Sequence, residues 1–173
     1  NYTQSNYTDF GVSCYGASDG FIDVTITGGT GNYNYTWTAD NGFTASTDDI
    51  SNLSAGNYSL SVVDENDCPI TLDVEITEPD PIEIVFTASN ENGFGVLCNG
   101  DSNGSIDVTV TGGTGVYTYS WTADNGFTAS TDDISNLSAG TYTLVVWDEN
   151  YNDNQDCTDS VTVEITEAEP VLV

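Results

Sequence analysis

The sequence predicts an all-β chain: two tandem immunoglobulin-like β-sandwich repeats of about seven strands each. Three observations predict it. Trp37–Gly56 returns without a single change as Trp121–Gly140, at a spacing of 84 residues, and the flanking sequence keeps the same register. Apolar residues alternate with polar ones at period two in nearly every segment, and no segment shows the helical period. Gly-Gly-Thr-Gly, Asn-Gly and Ser-Ala-Gly punctuate those segments as turns.

The elements follow in order, read most fully in the second repeat. Ile82, Ile84 and Phe86 share one face of the first strand, with Glu83 and Val85 opposite. Ile106, Val108 and Val110 alternate with Asp107, Thr109 and Thr111. Tyr117, Tyr119 and Trp121 share a face, as do Tyr142, Leu144 and Val146. Val161, Val163 and Ile165 close the set, with Thr162 and Glu164 outward. Half-buried antiparallel strands write this pattern. Leu53-Ser54-Ala55-Gly56-Asn57-Tyr58, and its copy ending at Tyr142, form a tyrosine corner, in which the hydroxyl bonds back to nearby backbone. Trp37 and Trp121 take the place of the core tryptophan.

The repeat register divides the chain into residues 1–80, residues 81–169 and a last stretch, 170–173. Glu169-Pro170-Val171-Leu172-Val173 matches Asp80-Pro81-Ile82-Glu83-Ile84, the opening of the second repeat's first strand. Asn1 aligns with Val85, so the first repeat's first strand is truncated and the chain reads as a window on a longer array. The linker Glu78-Pro79-Asp80-Pro81 is short and stiffened by proline.

Composition narrows the function classes. The chain has 28 acidic residues and no Lys, Arg or His, for a net charge of −28. It offers no side-chain cation to nucleic acid or anionic lipid. No apolar run is long enough to insert in a membrane. Nucleophile–histidine and lysine chemistry is excluded, and the paired acids Asp48-Asp49 and Asp132-Asp133 suit surface solvation, so no enzyme is expected. Four cysteines fall two per repeat, at matching places. They suggest disulfides Cys14–Cys68 and Cys98–Cys157 and an oxidising compartment, or else buried free thiols. The difficulty is topological. In an immunoglobulin-like order the segment after the first strand and the last hairpin lie at opposite ends.

The run Cys14-Tyr15-Gly16-Ala17-Ser18-Asp19-Gly20, Ile22-Asp23-Val24-Thr25, Gly28-Gly29-Thr30-Gly31, Tyr33 and Trp37 resembles the SprB repeat. Leu-Ser-Ala-Gly-x-Tyr, Asp-Glu-Asn, Cys and Ile-Thr-Glu-Pro are similar to its continuation. The resemblance implies a long, acidic adhesin filament on the surface of gliding Bacteroidota, exported by type IX secretion. It implies an extracellular location and neighbouring repeats of the same chain as partners.

Two features stand outside the shared pattern. The second repeat carries a five-residue insert, Tyr151–Gln155, in its last hairpin. Asp148, Asn150, Asn152, Asp156 and Asp159 there fall at spacings of a calcium-type loop, although Asp153 stands where the turn glycine belongs; an Asn/Asp-rich hairpin is the plain alternative. Asn99, Asp101 and Asn103 resemble the start of another such loop. Trp147 points out of its strand, where the first repeat has Val63, and either covers the insert or stacks on a sugar as a surface contact. Three functions fit: a rigid spacer within an adhesin filament that also takes part in surface attachment; a multivalent module binding polysaccharide or surfaces; or a subunit that polymerises head to tail, its Val171–Val173 completing the truncated strand of another copy.

Overall fold

The computed structural model describes residues 1–148 and 157–172. The chain divides into two compact units, the second beginning at Pro81. In the first unit the strands are β1 (Tyr2–Gln4), β2 (Gly20–Val24), β3 (Asn34–Ala39), β4 (Thr44–Ala45), β5 (Ile50–Leu53), β6 (Gly56–Val63) and β7 (Pro69–Ile76). One sheet has the order β1-β2-β5 and the other β4-β3-β6-β7. The second unit repeats this with β8 (Asp80–Ala88), β9 (Gly104–Gly113), β10 (Tyr117–Ala123), β11 (Thr128–Ala129), β12 (Ile134–Leu137), β13 (Gly140–Asp148) and β14 (Thr158–Ile165), in sheets β12-β9-β8 and β11-β10-β13-β14. Each unit is therefore an all-β sandwich of three strands on four. Its short fourth strand pairs with the third, whereas a constant-type immunoglobulin domain adds that strand to the opposite sheet.

The repeated stretch builds the same local structure twice. After β3 the chain turns through Asp40-Asn41-Gly42, and Gly42 takes a φ of 88° that a side chain would resist. Trp37 and Trp121 are fully buried, and each indole N–H donates to a backbone carbonyl, Thr47 at 3.1 Å and Thr131 at 3.0 Å. The tyrosine corners form as the sequence predicts: the Tyr58 hydroxyl donates to Ser54 C=O and that of Tyr142 to Ser138 C=O, both at 2.8 Å. The sequence reading missed one member. Asn41 and Asn125 each donate an amide N–H to the tyrosine hydroxyl at 3.1 Å, so each corner joins two turns. Around these anchors pack Ile22, Leu53, Leu60 and Ile76 in one core, and Ile106, Leu137, Leu144 and Ile165 in the other.

The period-two expectations hold for β9, β10, β13 and β14. In β8 they hold for Ile82 and Ile84, whereas Phe86 is 40 % exposed. As an edge strand, β8 has a neighbour on one side only, so an inward-phased ring near its end is incompletely covered.

The cysteines correct the sequence reading. Cys14 and Cys157 are disulfide-bonded, and Cys68 and Cys98 are free and exposed, so neither Cys14–Cys68 nor Cys98–Cys157 forms. The turn that holds Cys14 sits against the end of β7: Gly16 N–H donates to the Glu78 carboxylate at 2.7 Å. Cys68 immediately precedes the start of β7. Eight extended residues span about 26 Å, and a disulfide needs α-carbons within about 7 Å. The second unit repeats the separation, with Gly100 N–H on Glu167 at 2.7 Å and Cys157 just ahead of β14. Each unit thus carries one cysteine at its linker end and one at its hairpin end.

Candidate functional site

The hairpin end of each unit gathers the Gly-Gly-Thr-Gly turn, an aspartate and a cysteine. In the first unit Asp64 follows β6 directly, and its side chain turns back under the turn before β3. Its carboxylate accepts from Thr30 N–H at 3.0 Å, the Thr30 hydroxyl at 3.1 Å, and Asn66 and Cys68 N–H, both at 2.9 Å. Those donors, the Cys68 amide first, hold the Asp64 carboxyl below its usual range against the opposing effect of burial. No cation takes part, for the chain has no Lys, Arg or His. Glu65 N–H donates to Thr30 C=O at 3.2 Å and closes the turn onto the hairpin. Tyr33 seals it from the other side, its hydroxyl donating to Gly28 C=O.

The second unit builds the same anchor with Asp148. That residue is 2 % exposed; its carboxylate accepts from Thr114 N–H at 2.5 Å and from the Thr114 hydroxyl. Tyr117 hydroxyl donates to Gly112 C=O at 2.5 Å. Asp148, a calcium-loop candidate by spacing, therefore has the fold-building place that Asp64 has in a unit without the insert. Of the other candidates, Asp159 is exposed on β14, opposite Val146, and accepts from Ser160 N–H at 2.8 Å. Asn150, Asn152 and Asp156 lie outside the described residues. Among the described residues no group of three or more His, Cys, Asp or Glu side chains could hold a metal ion. Asp101 and Asn103, candidates for a second loop, accept from Cys98 and Leu97 N–H at 3.1 and 3.2 Å. Trp147 is half-buried on β13, between Thr118 and Thr158, on the face opposite Val146.

The paired acids also have local partners. Asp49 accepts from Val24 N–H and Asp133 from Val108 N–H, both at 2.8 Å, which ties the loop before β5 and β12 to the neighbouring strand. Asp40 is held below its usual range chiefly by the Asn57 side-chain amide, 2.9 Å away.

The two units also differ in how far the neighbouring strand covers this end. In the second, β9 runs to Gly113, and β8 covers it: Ile82 lies within van der Waals reach of the position a β-carbon on Gly113 would take. In the first, β2 stops at Val24; Asn1 and Thr25 exchange backbone hydrogen bonds, and residues 26–29 pair with no strand among the described residues. An apolar groove lies beside them. One part, of about 120 Å³, has Val24, Ile26, Val62, Ile70 and Leu72 on its walls; a second, of about 200 Å³, continues past Gly29 and Tyr33 to Cys68. Ile70 is 60 % exposed on its rim. Gly28-Gly29-Thr30 is exposed, whereas Gly112-Gly113-Thr114 is half-buried.

The elements that form this end carry the likeness to known proteins. The family model of the SprB repeat matches residues 11–42 and again residues 96–126. Each unit thus contains one stretch similar to the SprB repeat. Each match runs from the linker-end turn through β2 or β9 and the Gly-Gly-Thr-Gly turn into the tryptophan strand. No curated protein matches the chain. SprB repeats point to a segment of a cell-surface adhesin, and a disulfide fits an extracellular location.

The pH dependence of the Asp64 anchor has a definite sign. A carboxyl whose folded pKa is depressed contributes stability that is fully present above its unfolded value, about 3.9, and lost as pH falls through the folded value. Asp64→Asn should therefore melt below the parent chain at pH 6, and the two curves should converge toward pH 2. The comparison cancels the general relief of acid–acid repulsion on protonation. A gap that stays constant from pH 6 to pH 2 would mean that the charge of Asp64 contributes nothing.

Proposed function

We propose that the chain is a spacer segment of a cell-surface adhesin filament. The framework built twice carries this reading: Trp37 and Trp121, Tyr58 and Tyr142, and Asp64 and Asp148 hold the same places in the two units, and the acids of the repeated loops, Asp49 and Asp133 among them, accept hydrogen bonds from the backbone of their own unit.

A glycan array tests this reading against its competitor. A spacer should show no saturable binding to any glycan, whereas saturable binding would make the units carbohydrate-binding modules instead.

A further inference from the structure

We infer that Asn92 is a modification site: its side-chain amide is lost to attack by the Gly93 backbone nitrogen, ahead of every other Asn-Gly pair in the chain. Five such pairs are present, Asn41-Gly42, Asn92-Gly93, Asn99-Gly100, Asn103-Gly104 and Asn125-Gly126. A glycine on the C-terminal side leaves the attacking nitrogen unhindered, so the sequence alone ranks all five alike. The fold separates them.

Four of the five carboxamides are held. Asn41 donates to the Ser54 and Tyr58 hydroxyls and accepts from Phe43 N–H. Asn125 makes the same three bonds, with Ser138, Tyr142 and Phe127. Asn99 donates to Ala168 C=O, and Asn103 accepts from Leu97 N–H. The Asn92 side chain is exposed and makes no hydrogen bond among the described residues. Each bond that has to break first slows attack roughly fivefold, which sets Asn41 and Asn125 on the order of a hundredfold behind Asn92.

The backbone at Asn92 is also the least constrained. Glu91 and Phe94 form an isolated antiparallel pair, outside any strand, and Gly93 N–H donates to the exposed Asn90 side chain at 2.8 Å. Gly42 and Gly126 N–H donate instead to the backbone carbonyls of Ala39 and Ala123, Gly100 N–H to the Glu167 carboxylate, and Gly104 belongs to β9.

The first unit shows what the reactive pair is for. Its matching turn is Thr8-Asp9, and both residues take a positive φ, 51° and 74°, which their side chains resist. Asn92 and Gly93, at 56° and 95°, make the turn with less strain, since Asn-Gly is the pair that such turns favour. The second unit thus has the easier turn and the more labile one.

The reaction needs water alone. Hydroxide removes the Gly93 amide proton, the nitrogen attacks Asn92 Cγ, and the Cγ–Nδ2 bond breaks to release ammonia. Water then opens the cyclic imide at either carbonyl and gives aspartate or isoaspartate. Isoaspartate adds a backbone atom between Glu91 and Phe94, so their pairing cannot close as before.

The test keeps the folded chain in mildly alkaline buffer at physiological temperature and follows each Asn-Gly pair by chymotryptic mapping with mass spectrometry. Asn92 should convert first, about fivefold ahead of Asn99 and Asn103, with Asn41 and Asn125 intact. In concentrated urea the five should react at similar rates, because the bonds that separate them are gone. Asn92→Thr combined with Gly93→Asp, the first unit's turn, should remove the early product and bring no other forward. Equal rates at all five in the folded parent chain, or Asn99 or Asn103 ahead of Asn92, would overturn the inference whether or not the variant folds. An order in urea identical to that in buffer would overturn it as well, since local sequence and not the fold would then set it.

Discussion

Trp121→Ala is expected to unfold the second unit at denaturant concentrations where the parent chain is still folded. The indole is fully buried at the centre of its sheet, opposite Leu144 and Ala129 on the neighbouring strands. Truncating an aromatic side chain there costs about 3–5 kcal/mol, from lost burial and from the cavity left behind. It also strips Thr131 C=O of the indole donor. A domain of this size has a total stability of roughly 4–12 kcal/mol, so the variant stands near the edge of folding. Trp121→Phe, which keeps most of the apolar contact and loses the hydrogen bond, should cost about 2 kcal/mol. Urea titration followed by circular dichroism measures both, and Trp37→Ala should behave alike in the first unit. A loss under about 1 kcal/mol for either alanine variant would show that the tryptophan is not the centre of its core.

Asp148→Ala should be nearly as damaging, at about 2–4 kcal/mol, because it removes a buried carboxylate that accepts from the Thr114 N–H and hydroxyl and leaves both donors without it. Asp159→Ala, at an exposed position on β14, should lie within about 0.5 kcal/mol of the parent. The pair discriminates between the two roles the sequence allows Asp148. Melts in chelator and in calcium should give the same loss if the residue is an anchor. A loss that appears only when calcium is present would make it a ligand of that ion.

The parts legible in the sequence were those set by local pattern. Strand phase follows from alternation, and the tyrosine corners and tryptophans follow from short runs that fix their own geometry. The cysteine bonds were not legible in this way. Matching positions in two repeats say which residues are equivalent, but pairing depends on which end of an eight-residue strand each occupies. The order of the strands already sets a topological obstacle, and the position of Glu78 beside Gly16 makes it decisive. Asp148 misled for a related reason. A count of oxygen-bearing residues cannot tell a carboxylate that points into a turn from one that points at solvent. Its partner Asp64, in a repeat with no insert, was the available signal, since a place shared by both repeats cannot owe its acid to the insert alone. Asn41 and Asn125 escaped because a turn asparagine satisfies its own loop in most settings.

The direction of the outer strands has a mechanical consequence. In each unit the first and last strands run the same way, from the hairpin end toward the linker end: β1 pairs Tyr2 with Val24 and Gln4 with Ile22, and β7 runs from Pro69 to Ile76, where Gly11 and Gly20 pack. Tension along the chain pulls β1 from one end of the sandwich and β7 from the other. Neither strand can then be peeled away one rung at a time. The eight rungs from Gly56–Ile76 to Val63–Pro69 bear the load in shear and have to give way together, as do those that hold β14 to β13. A sandwich strung this way resists being drawn out by its own thread.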